Sequence, residues 1–162
     1  MPDIKRGGEI NMPGTLQTFL SKQTTKAAAD LIKAVENLPE ERRSWSPMDK
    51  GRSALDQAAE CAILNGLTID LLATREFPKD FDMASFVQMK QSLAADWDSL
   101  KSVLNEKTDA VAVAISETPD SDLDNVIVMP WGEKSVAEIL AYPYWNMSYH
   151  EGQTNYISFL TE

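Results

Sequence analysis

Apolar residues recur at helical spacing over several long runs, which restricts the chain to a core built mainly from amphipathic helices. Leu16, Phe19, Leu20, Ala27, Leu31, Val35 and Leu38 form the first run. Proline pushes the residue before it out of the helical region, so Leu38-Pro39 ends the run and the spacing predicts a helix over 15–37. The segment Glu40 to Arg52 mixes charge with Trp45, Pro47 and Gly51 and reads as a loop. Ser53-Ala54-Leu55-Asp56 resembles a capping box and opens a second predicted helix that reaches about Thr74 before Phe77-Pro78. Phe86, Met89, Leu93, Trp97, Leu100 and Leu104 predict a third helix over 84–105.

Residues 109–116, DAVAVAIS, alternate as a strand would, yet their alanines favour a short extra helix. The VIVMPW segment, within a stretch carrying Pro119, Pro130 and Gly132, is expected to be extended and to cross the helices. Ser135-Val136-Ala137-Glu138 is the better capping box, because Glu138 can reach back to the Ser135 amide. It opens a last helix to about Leu160, within which Pro143 should introduce a kink. Long helices with irregular connections suggest a four-helix bundle plus one short helix, folded as a single domain over 1–162.

Charge narrows the partners. With 25 acidic and 15 basic residues the net charge is −10, and no cluster of cations is present to replace phosphate counterions, which argues against nucleic acid. No apolar stretch approaches the roughly 18 residues of a spanning helix, and the first residues lack the apolar centre of a signal peptide. The expected setting is the cytoplasm, without membrane contact. A single cysteine, Cys61, allows no internal disulfide and no cysteine-rich zinc knuckle.

On the last predicted helix Tyr142, Asn146, His150, Gln153 and Ile157 follow steps of three and four and share a face. On the second, Gln57 and Cys61 head a stripe with Leu64, Thr68 and Leu71. Facing each other, the two stripes would enclose a polar pocket of Gln57, Cys61, Asn146, His150 and Gln153. Glu60 and Glu151 each adjoin a pocket position, but adjacent helical residues are turned by about 100°, so both are set aside as ligands. Trp45, Trp97, Trp131 and Trp145 are expected to be core or interface anchors.

These residues also resemble a known family. The run Leu38-Pro39-Glu40-Glu41 to Trp45 and Pro47, then Gly51 with Ser53-Ala54-Leu55-Asp56, Pro130-Trp131-Gly132 with Ser135-Val136 and Glu138, and finally His150-Glu151-Gly152-Gln153, is similar to the DinB or YfiT-like superfamily. The resemblance implies a four-helix bundle, frequently dimeric, with a divalent zinc, nickel or iron held by three histidines. Carried over to this chain, the ligand positions are Gln57, Asn146 and His150, of which one is histidine. Relatives include metal-dependent hydrolases and thiol-dependent transferases and isomerases.

Two neutral amides and one imidazole are a weak donor set for such metals, so the expected metal centre is degenerate, with metal absent or loosely held. The polar pocket is then structural or takes a small ligand. His150 reads as a buried histidine satisfied by Gln57 and Asn146, and Cys61 as a small buried hydrophobe; no catalytic residue is assigned. Two other readings stay open: a working enzyme of that family using His150 with substitute ligands, and a non-enzymatic homodimeric scaffold.

Overall fold

The computed structural model describes residues 14–161, so the expectation that the first residues are not a signal peptide lies outside the described residues. It is all-α apart from one hairpin: α1 Thr15–Glu36, α2 Ala54–Thr74, α3 Met83–Leu93, α4 Trp97–Glu117, the strands β1 Val126–Met129 and β2 Gly132–Ser135, and α5 Val136–Thr161. No described helix is long and apolar enough to cross a membrane.

Four long helices make the body. Helix α1 packs against α4 and α5, and α2 packs against the same two, which places α1 and α2 on a diagonal. Two apolar clusters fix the directions. One joins the C-terminal half of α1 (Leu31, Val35) to the beginnings of α2 (Ala54, Ala58) and α4 (Leu100, Leu104) and to Met147 and Ile157 of α5. The other joins Leu20 near the start of α1 to Leu71 and Leu72 of α2, Val111 and Ile115 of α4, and Ile139 and Leu140 of α5. Helices α1 and α5 therefore run one way and α2 and α4 the other. Burying leucines such as Leu31, Leu100 and Leu104, all 0% exposed, stabilises the body by about 2 kcal/mol each.

The ends follow local chemistry. Ser53 caps α2 by accepting the Asp56 amide at 3.2 Å. At α5 the reciprocal pair is complete: the Ser135 amide donates to Glu138 at 2.8 Å and the Glu138 amide donates to the Ser135 hydroxyl at 3.2 Å. The capping bond holds the Glu138 carboxyl below its ordinary range, with Lys134 assisting. Pro143 is buried inside α5, which continues through it as one helix of 26 residues.

The third helix departs from expectation. In place of one helix over 84–105, α3 ends at Leu93 and α4 begins at Trp97, because Asp96 adopts an extended backbone and accepts the Ser99 amide at 3.0 Å. The short extra helix is α3, which buries no residue, whereas residues 109–116 form the last turns of α4, with Val111 and Ile115 in the core. The VIVMPW segment is extended over Val126–Met129, within the connection from α4 to α5, and forms one arm of a hairpin. Val126–Met129 turns at Pro130-Trp131 and pairs antiparallel with the next four residues, from Met129 opposite Gly132 to Val126 opposite Ser135. Ile127 and Met129 face the core, while Val126 and Val128 face solvent. Gly132 sits at φ +130°, a backbone conformation that side chains disfavour, so glycine is needed to close this turn.

Candidate functional site

The first turns of α2 and the second half of α5 run antiparallel past each other, and their polar residues meet around His150, the only histidine of the chain. His150 is 3% exposed. Its Nδ1 lies 2.9 Å from Gln57 Oε1 and 2.8 Å from Gln153 Oε1, and its Nε2 lies 3.2 Å from Glu60 Oε1. Nε2 therefore carries a hydrogen, since only an N–H can face an ionised carboxylate. Gln57 is held oxygen-first by its own bond to the Arg52 carbonyl, while the Gln153 amide presents either its oxygen or, turned over, its NH2 to Nδ1.

The second oxygen of Glu60 is bound by Arg52, Nη2 to Oε2 at 2.8 Å. Arg52 also bridges to Asp56 at 2.5 Å, and Lys90 from α3 reaches Asp56 at 3.0 Å. Gln57, 3% exposed, donates to the Arg52 carbonyl at 3.1 Å and so ties the loop before α2 to the cluster. The order of contacts is Lys90, Asp56, Arg52, Glu60, His150 and the two glutamines. Burial opposes ionisation of Glu60, but the His150 hydrogen bond and the Arg52 charge outweigh it and hold the carboxyl down at about 2.

One turn further along, Asn146 donates to Cys61 Sγ at 3.5 Å, and both side chains are buried. Burial, with the Glu60 charge nearby, pushes the Cys61 thiol well above its ordinary range and leaves it a neutral, unreactive thiol. Tyr142 follows on the same face. Burial first, then Glu60 and Cys61, push its phenol up to about 12.

The five pocket residues read from the sequence thus lie together, in two groups: Gln57, His150 and Gln153 in contact, and Asn146 with Cys61. Rotation from the adjacent Cys61 argues against Glu60, and the structure corrects this: its carboxylate touches His150 directly. Glu60 is three residues from Gln57 and so shares that face. Arg52 was also missed, since it precedes the helix. Glu151 lies outside the cluster and accepts from Asn155 at 3.3 Å. Trp45 and Trp97 pack against the core, as core anchors do, whereas Trp131 and Trp145 are 66% and 55% exposed and are not core anchors.

Above His150 a depression of about 630 Å³ opens between the loop before α2 and α5, bordered by Pro47, Arg52, Tyr149, Gln153 and Tyr156. The donors around it do not fit a divalent transition metal. One imidazole and one carboxylate are present, the carboxylate already shares its charge with a guanidinium, and the remaining donors are neutral amides. Among the described residues no three His, Cys, Asp or Glu side chains gather closely enough to hold a metal ion.

Compared with known proteins, the chain matches no family model and no curated protein.

Proposed function

We propose that this chain is a DinB-like four-helix-bundle protein in which a hydrogen-bonded ion cluster stands where relatives hold a divalent metal, and that the depression over His150 receives a small polar ligand without metal chemistry. One observation carries the reading: both ring nitrogens of His150 are engaged by protein groups, and the carboxylate nearest to them is neutralised by Arg52. A metal arriving at Nε2 would have to displace the Glu60 hydrogen bond and sit beside a guanidinium. The four-helix body and the order of the sequence motifs support the family part of the proposal. The ligand part rests on Arg52 and Gln153 at the rim, which offer donors and acceptors to a polar guest.

Calorimetric titration of the chain with zinc and with nickel tests it. No saturable heat is expected at metal concentrations up to about 100 µM, because amide donors bind these ions weakly. Stoichiometric binding below that concentration would return the family's metal chemistry to this site.

A further inference from the structure

A second cavity lies on the same α2–α5 groove, toward the hairpin and away from His150. We propose that it is a binding site for a small, uncharged, aromatic molecule. This goes beyond the reading of the His150 cluster and does not depend on it.

The cavity holds about 380 Å³, within the roughly 300–1,000 Å³ over which proteins take up small organic ligands. Leu64, Leu67 and Leu71 of α2 and Ile139 of α5 form its apolar lining, and Trp131 and Trp145 stand at its edge. Both indoles remain more than half exposed although each is held in place by other rings. Trp131 meets Phe77 edge-on at 5.6 Å, and Trp145 lies 5.7 Å from Tyr142 and stacks on Tyr149 at 5.5 Å. Two exposed indoles held by aromatic neighbours give a flat guest preformed faces to stack against, so little ordering is required on binding.

The two charged groups around this cavity are paired with each other, and its threonine is bonded to backbone. Lys134 pairs with Glu138 at 2.9 Å, and the Thr68 hydroxyl donates to the Leu64 carbonyl at 2.9 Å. Tyr142, on the side toward Glu60, stays a neutral phenol. A charged guest would lose hydration without gaining an unpaired counter-charge, which favours an uncharged one. The two tryptophans of the lining favour an aromatic guest over a flexible acyl chain, whose ordering on binding is entropically costly.

The test uses N-phenyl-1-naphthylamine, an uncharged fluorophore that brightens in apolar surroundings, and its sulfonated analogue 1-anilinonaphthalene-8-sulfonate. The uncharged probe is expected to bind saturably at one site with a Kd in the micromolar range, and the sulfonate at least about tenfold more weakly. Leu67→Trp, which fills the cavity, should weaken binding by about tenfold or more; Ala141→Leu is a milder filling variant in case the first fails to fold. Phe19→Ser, which removes an exposed aromatic on α1, should leave binding unchanged. The proposal is overturned if no saturable binding occurs, if the sulfonate binds equally well, if dodecanol displaces the probe at equal concentration, or if binding survives both filling variants in folded protein.

Discussion

Replacing Glu60 by alanine is expected to destabilise the protein by about 2 kcal/mol, a fall in thermal midpoint of roughly 4–8 °C for a chain of this size. The effect follows from what is left behind. His150 is almost wholly buried, so its Nε2–H would face a void without an acceptor. Arg52 loses less, because its side chain is 37% exposed and keeps Asp56. Glu60→Gln retains an acceptor for His150 and should fall about half as far. Glu60→Gln and the parent differ again in acid. Glu60 titrates at about 2 in the folded protein against 4.5 ordinarily, so its stabilising contribution is complete above about 4.5 and is lost as pH falls toward 2. Thermal melts of Glu60→Gln should therefore lose less stability than the parent between pH 4.5 and 2. Equal acid sensitivity of the two, or an Ala variant as stable as the parent, would mean that the Glu60–His150 contact is not maintained in solution.

Installing the three histidines that the resemblance to DinB-like proteins implies is the second large effect. Gln57→His with Asn146→His gives three imidazoles, two of them four apart on α5 and the third on the facing turn of α2, an arrangement suited to zinc with an open position. The double variant is expected to bind zinc at least about 100-fold more tightly than the parent by calorimetry, and its midpoint should rise with zinc because only the folded state presents the site. Adding His150→Ala should abolish most of that gain. A folded double variant that binds no better than the parent would show that positions 57, 146 and 150 do not converge on one point.

Much of the fold is legible wherever a local signal coincides with a helix boundary. Ser53, Ser135 and Pro39 mark their helix ends because a cap or a ring acts on the backbone beside it. The break at Asp96 is hidden because Leu93, Trp97 and Leu100 keep steps of four and three across it, so the apolar period continues where the backbone does not. The hairpin is hidden for a different reason. Its second strand, Gly132–Ser135, contains no apolar alternation and faces mainly outward, so nothing in its residues announces a partner for Val126–Met129.

The candidate site divides in the same way. Helical spacing places Asn146, His150 and Gln153 on one face, which is a property of a single helix, and the resemblance joins Asn146 and His150 with Gln57 of α2. Arg52 enters from the loop before α2, and Lys90 from α3, whose position depends on the unseen break. The ion cluster therefore needs three helices and the loop before α2 placed together, which local periodicity does not encode. The apolar cavity likewise depends on the Pro130-Trp131 turn delivering an indole beside α2 and α5.

Because His150 is the only histidine, the imidazole 15N spectrum of the protein contains one residue and reports on the site without ambiguity. Recorded near neutral pH, before and after one equivalent of zinc chloride, it is expected to show a hydrogen-bearing Nε2 slow to exchange with solvent, and both nitrogen resonances unmoved by zinc. A zinc-dependent shift of either nitrogen that saturates at one equivalent, or an Nε2 hydrogen exchanging as freely as in an exposed imidazole, would contradict the proposal that Glu60 and Arg52 occupy His150 in place of a metal.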